Sequence, residues 1–478
     1  MKFLRYSFWL LLIVNISVLA QNHNDVLRLS EPGIDAGARA LGMGNAYTAL
    51  SNDFSGVQFN PAGLGLANYL EITGSFNYNT VSNNSYLYDN HLTDTFSESK
   101  IKMNDFGAVF PLPTKQGSMV FAFGYSTVKN FNSGSRFNDF NSGDHSMIQS
   151  LLGLDDIAYS LYLTDESGEN TPINGNLQQM GNTRESGKLG AWNVSGAVEV
   201  ARNVFMGATI NVFSGTYSYD RQYWEEDTQN HYLTNVLTDP NDPETADFQK
   251  FYLNDIINWD IEGWDAKIGM MYVLSNESTI GLSIKFPSKF KLTENYFVDA
   301  ESEFGTGLNV ILDPPIDNVL EYNISTPFEF ALGHALNLGP FLLSADLKYV
   351  DYTQMEFEDG LSQGDMSQIN RDIKDLYDGK FSYNLGMEFE LPYASESLLF
   401  RAGYFMVPSP YKNDPSSYDK KYLTLGFGIG SDGPIAIDIA YLHGWWDGEQ
   451  DLYGAGQAQL SNEFDISNTV LSVTYRFW

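Results

Sequence analysis

The sequence predicts an all-β fold, namely a transmembrane antiparallel β-barrel of about fourteen strands. Apolar and polar residues alternate with a period of two over most of the chain after Tyr69, which is the pattern of amphipathic strands. Beyond the N-terminus, no segment offers the ~20 uninterrupted apolar residues that a membrane helix needs. Aromatic residues make up 14% of the chain against 18% charged residues, and aromatic-rich chains of weak hydropathy are typical of membrane barrels.

Residues 1–20 have the pattern of a cleavable secretion signal and are set apart from the fold. Lys2 and Arg5 give the positive start, and an apolar core covers residues 7–19. This core is too short to span a bilayer. Small or apolar residues at positions 18–20 are typical of a cleavage site, so the mature chain is expected to begin at Gln21. An uncleaved anchor is the alternative, but no stop-transfer pattern follows.

Composition excludes several classes of function. Cysteine is absent, which excludes disulfides, a thiol nucleophile, a thiolate metal site and a lipoprotein anchor. A formal net charge of −33 argues against nucleic-acid binding. The acidic runs at 224–227, 239–247 and 351–378 are interpreted as solvated loops rather than as a cation site. The six histidines show no metal-ligand spacing, so neither an enzyme nor a metal or other cofactor is predicted.

The alternating segments predict fourteen strands with one apolar and one polar face. From Phe381 to Phe389, for example, Phe, Tyr, Leu and Met alternate with Ser, Asn, Gly and Glu. In a membrane barrel the apolar face meets lipid and the polar face lines the lumen. The candidate strands begin near Tyr69, Met103, Ser118, Gly190, Val204, Trp259, Thr279, Val319, Phe341, Lys380, Leu398, Lys421, Ile435 and Ile466.

The connections between these strands alternate between tight and long. Tight turns are expected at 201–203, 275–277 and 337–339 and long polar segments between them, which places the turns in the periplasm and the long loops outside. The longest connection, roughly 129–188, contains an apolar spacing closer to a helix than to a strand between Ser146 and Tyr162. A helical extracellular cap and an ordered loop over the barrel mouth are both compatible with it.

The last strand carries a separate signal. Leu471, Val473, Tyr475 and Phe477 alternate with small or polar residues up to Trp478. A final amphipathic strand suits a barrel in which the last strand pairs with the first. It also resembles the C-terminal signal that outer-membrane proteins present to the barrel-assembly machinery, although the adjacent aromatics at 477 and 478 depart from strict alternation.

Residues 21–68 lack the period of two and are rich in Gly and Ala. Small residues let short helices and turns pack closely, as an insert in a barrel lumen requires. The expected organisation is therefore a signal peptide at 1–20, an N-terminal hatch or plug at 21–68 and an outer-membrane β-barrel at 69–478.

The N-terminal segment resembles that of the FadL family of outer-membrane transporters. The resemblance rests on the run from Ala40 to Asp53 followed by Asn60-Pro61-Ala62, and on later stretches at 326–333, 345–352, 401–404 and 408–410. It spans nearly the whole mature chain and is densest in the hatch and the last third. The family carries long-chain fatty acids and other hydrophobic compounds, and it includes aromatic-hydrocarbon porins.

This resemblance implies a fourteen-stranded barrel in the outer membrane of a Gram-negative bacterium, in contact with its lipid and lipopolysaccharide and occluded by the hatch. A hydrophobic substrate is captured outside and held in an apolar pocket. It leaves laterally into the membrane through a gap made by an inward kink of an early strand. The implied partners are fatty acids or aromatic hydrocarbons.

Candidate site residues follow from the motif and from strand phase. Asn60, Pro61 and Ala62 form the hatch motif, and the first two can equally make a structural turn or helix start. Phe54 and Phe59 either pack the hatch or line the substrate pocket.

A carboxylate head group would need a cation inside the barrel. Lys348, Arg401 and Arg476 lie on the polar phase of their strands and are candidates, although such residues more often belong to ordinary lumenal charge networks. The strand kink is placed within 117–128, where Gly124 weakens the strand, and a bulge is the alternative.

A barrel of the PorV type is the alternative function. Such barrels are related to FadL, share a start similar to residues 38–44, and bind and hand over secreted proteins in a gliding-bacteria export system. A transporter is expected to have a continuous apolar pocket beside the hatch, whereas a shuttle needs a lumen open to a peptide. Transport is favoured because Asn60-Pro61-Ala62 and the last third of the chain look more like FadL itself.

Overall fold

The computed structural model describes residues 21–88, 91–153, 157–393, 396–430, 433–454 and 456–477. These residues form one closed antiparallel barrel of fourteen strands, in which each strand pairs with its neighbours in chain order. The last strand pairs with the first from Leu70↔Phe477 to Tyr86↔Ser461. The fold class predicted from the sequence is confirmed. The signal-peptide interpretation of residues 1–20 and the aromatic Trp478 lie outside the described residues.

The fourteen strands, counted over the described residues, are long and several are interrupted. The first seven are β1 (Leu70–Leu87), β2 (His91–Leu112), β3 (Met119–Asn130 and Ser133–Asn141), β4 (Leu177–Ala201), β5 (Val204–Glu226), β6 (Phe248–Ser275) and β7 (Ser278–Lys285 and Lys289–Phe304). The others are β8 (Ile316–Ser325 and Glu329–Leu338), β9 (Phe341–Asp351), β10 (Gly379–Tyr393), β11 (Glu396–Val407), β12 (Lys420–Ile429), β13 (Ile435–Asp451) and β14 (Gln459–Phe477). Short strands at Asn309–Ile311 and Glu356–Asp359 extend the wall at β7 and β8.

The helices lie in the N-terminal segment and in the loops. The α-helices are α1 (His23–Ser30), α2 (Ala38–Gly42), α3 (Met147–Ser150), α4 (Ile157–Ser160) and α5 (Gln363–Leu376). Single 3-10 turns occupy Phe54–Val57, Pro61–Leu66, Pro243–Thr245 and Tyr352–Gln354. Within the part of the chain that the structure describes, no helix is both long and apolar enough to cross a bilayer.

The period of two in the sequence becomes the two faces of the wall. On β12 and β13 the exposed residues are apolar, as Leu425 (57% exposed), Ile437 and Tyr441 show. Their neighbours Thr424 and Ala440 are buried against the interior. Since the sheet closes on itself from the last strand to the first and the outer face is apolar, this is the architecture of a bacterial outer-membrane protein.

Several strands extend further than the sequence predicted. Strands expected from Met103, Gly190, Trp259 and Ile466 begin at His91, Leu177, Phe248 and Gln459. The alternation fades at these ends because the outer face there is polar, as the exposed Arg184 of β4 and Asn258 of β6 show. The connection predicted at 129–188 is shorter for the same reason: β3 ends at Asn141 and β4 begins at Leu177. It holds α3 and α4, which have four residues each.

The interior is filled in layers. Near the long loops, an apolar cluster that includes Leu87, Met147, Tyr223 and Phe248 closes the mouth of the barrel. Below it, α1 lies in a second cluster with α5 and inward aromatic residues such as Trp259. Residues 36–66 pack beneath α1 against the inner faces of the strands. The functional site is therefore to be sought between these layers.

Candidate functional site

Residues 21–68 lie inside the barrel and are fixed to its wall by buried polar groups. Asp346 of β9 accepts hydrogen bonds at one carboxylate oxygen from the Tyr47 amide (3.0 Å), the Thr48 amide (2.9 Å) and the Thr48 hydroxyl (2.7 Å). Asn384 of β10 donates to the Gly44 and Asn45 carbonyls at 3.1 and 3.0 Å. Because these groups are buried, breaking any of them would leave polar atoms unpaired. A gating role for the segment stays a prediction.

The same segment touches the wall where the strands carry glycine. A Cβ built on Gly269 would lie 1.9 Å from the side-chain oxygen of Asn60, and one on Gly403 would lie 2.2 Å from the Gly44 nitrogen. Such distances are impossible for real side chains, so glycine is required for this close approach. The glycine ring, as we call it, comprises Gly207, Gly269, Gly281, Gly333, Gly386, Gly403 and Gly426 on seven strands.

The Asn60-Pro61-Ala62 motif begins a 3-10 turn and connects it to the wall. The Asn60 side chain accepts from the Ala62 amide at 3.1 Å, and Pro61 is the first residue of the turn. The side-chain amide nitrogen of Asn60 also donates to the Thr48 carbonyl (2.8 Å) and to the Met270 carbonyl of β6 (3.1 Å). The motif therefore has a structural basis in capping and in one contact that crosses from the segment to the barrel.

Phe54 and Gly124 belong to one packing contact. The Phe54 ring covers Gly107 of β2 and Gly124 of β3, where an added Cβ would come within 2.1 and 2.4 Å of it. These glycines face each other in a regular ladder, and β3 pairs regularly with β4 at Gly124. The register of β3 shifts between Thr127 and Lys129 instead. A kink at Gly124 stays a prediction, and the irregularity that the structure places in this strand lies at Val128.

Phe59 and Lys348 lie together. The Lys348 ammonium is 5.4 Å from the centre of the Phe59 ring, and both line a cavity of about 170 Å³. Lys267 and Lys285 also line it, and Lys285 pairs with Glu329 at 2.6 Å. The lining also includes the carboxylates of Asp35, Asp265 and Glu329, so the three lysines are balanced by three acids.

Arg401 and Arg476 lie elsewhere, toward the end of the barrel with the tight turns. The fully buried Arg401 side chain (0% exposed) pairs with Glu388 and Asp438, both at 2.6 Å. Arg476 pairs with Glu71 at 2.7 Å. Both arginines line a separate cavity of about 280 Å³. The structure thus does not bring them together with Lys348, and it places them in charge networks.

A larger cavity of about 410 Å³ lies beside α1. One wall is aromatic: Tyr422 stacks on Phe405 at 4.4 Å, and Trp446 stacks on Phe464 at 5.3 Å. Sequence analysis missed these residues because they fall on the inward phase, where polar residues are expected. The pair Trp445-Trp446 was the available signal, since adjacent tryptophans in a strand must face opposite sides.

Ion pairs of Glu31 span this cavity. Its carboxylate pairs with Lys420 of β12 at 2.7 and 2.8 Å and with Lys129 of β3 at 3.8 Å. Burial opposes ionisation of this group, but Lys420 and Lys129 together lower the pKa of Glu31 to about 2. Lys129 also donates to the carbonyls of Arg28 (2.6 Å) and Glu31 (3.1 Å). The carboxylate is therefore charged and bridges β3 and β12, which lie five strands apart around the barrel.

The wall is interrupted beside this cavity. The ladder between β2 and β3 runs from Leu112↔Met119 to Asp105↔Ser126 and ends there. Further up, residues 91–104 of β2 pair with β1, and the upper part of β3 pairs with β4. Across the interruption Lys102 donates to Asn130 at 2.6 Å and Lys100 to Asn132 at 3.0 Å. Side chains, rather than a backbone ladder, close the wall here.

The apolar interior is occupied by the chain itself. Val26, Leu27 and Leu29 of α1 are buried in the cluster that contains Trp259 and Tyr322. The continuous empty apolar pocket expected beside the N-terminal segment is therefore not present in the described residues. Its place is taken by α1, because burying this amphipathic face removes apolar surface from water.

Solved structures with the same fold include a monoaromatic hydrocarbon channel and a toluene transporter. The chain is similar to a Pseudomonas aeruginosa FadL homologue (12% identity, 94% of this chain and 99% of that chain, TM-score 0.56). It is also similar to the CymD monoaromatic hydrocarbon channel (14%, 93% and 98%, 0.51) and to the Pseudomonas putida toluene transporter TodX (13%, 93% and 99%, 0.51). No protein-family model and no curated protein matches the sequence. At these identities the likeness establishes the fold.

Proposed function

Because this chain has the barrel fold of the FadL-type outer-membrane channels, we propose that it takes up hydrophobic small molecules across the outer membrane. The substrates are compounds such as long-chain fatty acids or monoaromatic hydrocarbons, held in the lumen and released laterally into the membrane. One observation carries the proposal: the aromatic cavity of about 410 Å³ lies beside the interruption between β2 and β3. We call this interruption the portal.

Lateral release is supported by what surrounds the portal. Residues 129–133 of β3 line the cavity, so a molecule held there is next to the unpaired edge of β2. On that edge Ile101 and Met103 face outward and are 75% and 42% exposed. Apolar side chains at the outer rim are compatible with lipid. A hydrophobic molecule that leaves here passes into the membrane without an aqueous step.

A route straight through the barrel is disfavoured by the same structure. Below the cavity, the glycine ring brings strand backbones into direct contact with residues 42–61. Asp346 and Asn384 hold the segment by five hydrogen bonds. Displacing it would expose these buried groups without partners. The same filling disfavours a lumen open to a secreted peptide, as a protein shuttle would need.

Uptake by cells tests the proposal. Cells that express the protein should accumulate radiolabelled oleate or toluene faster than cells with the empty vector. Trp446→Ala should slow this uptake because it removes the inward aromatic wall. Trp445→Ala is the matched control, since Trp445 faces outward and is exposed. Two probes are used because an acyl chain and an aromatic ring both fit such a wall.

Two results would contradict the proposal. The first is accumulation of neither probe above the empty-vector level, with the barrel shown to be folded in the outer membrane. The second is recovery of a bound peptide, in place of a lipid or hydrocarbon, when the purified protein is extracted and analysed by mass spectrometry. The latter would favour the protein-shuttle function.

A further inference from the structure

The irregular part of β3 contacts the N-terminal segment at three consecutive residues. A Cβ on Gly33 would lie 1.9 Å from the Val128 carbonyl oxygen, so the two backbones touch. Lys129 donates to the Arg28 and Glu31 carbonyls. Asn130 donates to the Asp35 carboxylate at 2.8 Å. The departure of β3 from its ladder therefore coincides with its attachment to residues 28–35.

The neighbouring strand is held at the same height. β2 has its own register irregularity opposite Ser75 and Phe76, where Asn104 is left out of the ladder. The Asn104 amide donates to the Ala36 carbonyl at 2.7 Å. Both edges of the portal are thus attached to the same short stretch of the N-terminal segment, one on each side of it.

The local sequence of β3 permits it to leave its partner but does not fix the direction. Residues 129–135 are rich in Asn, Ser and Gly, which are depleted in strands, and the strand is interrupted at 131–132. The edge of β2 offers unpaired backbone groups that a strand would satisfy. Contacts outside β3 therefore decide that its upper part lies inward. The Glu31 carboxylate is suited to this task, because it links Lys129 of β3 to Lys420 of β12, five strands away around the barrel.

We propose that Glu31 is the hub of a brace, formed by residues 31–35 with Lys129 and Lys420, that holds β3 away from β2 and keeps the portal unpaired. Glu31 is a positioning residue, since it acts through β3 and not on the substrate. The effect on uptake rests on the proposed function. The effect on the distance between β2 and β3 does not.

Cysteine cross-linking measures that distance directly, because the native chain has no cysteine. The pair Lys100→Cys and Asn132→Cys replaces the lysine–asparagine contact across the interruption that involves no residue of the brace, and the two thiols should oxidise slowly while β3 is held away from β2. Adding Glu31→Gln should speed oxidation several-fold, as β3 moves toward β2. Glu31→Asp keeps the charge and should stay slow. Asp25→Asn is the control, since Asp25 is an acid of the same N-terminal segment that pairs with Arg28 and contacts neither Lys129 nor Lys420 in an ion pair.

Uptake is measured in the single variants, with heat-modifiable gel migration as the check that each barrel is folded. Glu31→Gln should lower uptake, whereas Asp25→Asn should not. Lys420→Met breaks the other end of the brace and carries the test if Glu31→Gln fails to fold. Unchanged oxidation in both Glu31→Gln and Lys420→Met would overturn the brace. Faster oxidation without any uptake by the unmutated protein would support the brace and contradict the transport function.

Discussion

At the scale of single residues, Asn60 shows how one side chain can join two parts of the molecule. Its oxygen caps the turn that begins at Pro61, and its nitrogen bonds to the carbonyls of Thr48 and Met270. The capping half follows from local chemistry, because Asn commonly accepts from an amide two residues on. The bond to Met270 joins positions 210 residues apart and depends on the fold.

Replacing Asn60 by Ala should change uptake and leave the barrel intact. The variant loses the cap and the bond to the Met270 carbonyl, and it leaves the buried Thr48 carbonyl without this donor, which costs about 1–3 kcal/mol. Gel migration with and without heating reports the barrel, and labelled substrate reports uptake. Asn52→Ala is the control, since Asn52 is exposed in the same segment. Unchanged uptake in Asn60→Ala would show that the motif has only the structural role of a turn.

Asp25 makes the docking of α1 sensitive to pH. Burial raises the pKa of Asp25 from its ordinary 3.8 to about 7, although Arg28 acts in the opposite direction. A raised pKa means that the folded state binds the proton more tightly than the unfolded chain. The stabilisation from this group is therefore complete at low pH and is lost as pH rises from about 4 to about 7.

We therefore expect Asp25→Asn to flatten the pH dependence of stability. The measurement is the midpoint of thermal unfolding in detergent at pH 5.5 and at pH 8. The unmutated protein should lose more stability over this interval than the variant does. A variant with the same loss would show that the ionisation of Asp25 is not coupled to folding.

At the scale of elements, the N-terminal segment and the barrel fit each other through backbone contact. The glycine ring brings strand backbones against residues 42–61, and no side chain can be inserted without a shift of one element. This contact explains why glycines persist in the middle of strands, where they cost conformational entropy. The segment is therefore held as a fixed part of the wall.

Gly269→Ala tests this fit. The added methyl would lie 1.9 Å from the Asn60 oxygen, so the segment must move away from β6. Overpacking of this kind typically costs about 1–3 kcal/mol, and limited proteolysis should cut residues 21–68 faster than in the unmutated protein. Gly74→Ala is the control, because its methyl would meet other atoms only at 3.9 Å. Equal cleavage of both variants would contradict a tight fit.

At the scale of the whole molecule, the direction of the side chains determines in which environment the folded barrel is stable. The outer face is apolar, and the interior holds packed polar and apolar residues, so the barrel is stable with lipid outside and the N-terminal segment inside. Folding in water would leave the apolar outer face exposed. The outward face is therefore as much a determinant of stability as the interior.

Leu425→Arg should impair assembly, because a cation on the lipid-facing side near mid-membrane costs about 2–4 kcal/mol. Leu425 is outward and 57% exposed. Gln222→Arg is the control, since it lies near the loop end of β5, outside the apolar band. The amount of heat-modifiable barrel in outer-membrane fractions is the measurement. Equal amounts for the two variants would contradict the lipid-facing assignment.

Most of the fold could be predicted from the sequence because it depends on local alternation. Each of the fourteen candidate starts lies in or within one residue of an observed strand, and the tight turns lie where they were expected. The sequence did not predict which of the candidate site residues lie together. Asn60 and Phe54 are buried in the N-terminal segment, whereas Lys348 and the two arginines separate into different cavities. The alternation along a strand tells on which side of the wall a residue lies. It does not tell the residue's position along the barrel axis or which side chains it contacts.

By itself, the sequence determined the barrel, the number of its strands and which side of each strand meets lipid, because a period of two records burial directly. Only the tertiary structure decided that α1 fills the apolar interior, that the ladder of β2 and β3 stops at Asp105↔Ser126, and that Glu31 meets Lys129 and Lys420. The physical reason is distance along the chain. The contacts of α1 and Glu31 join residues that lie about a hundred or several hundred positions apart, and no local pattern encodes such pairs.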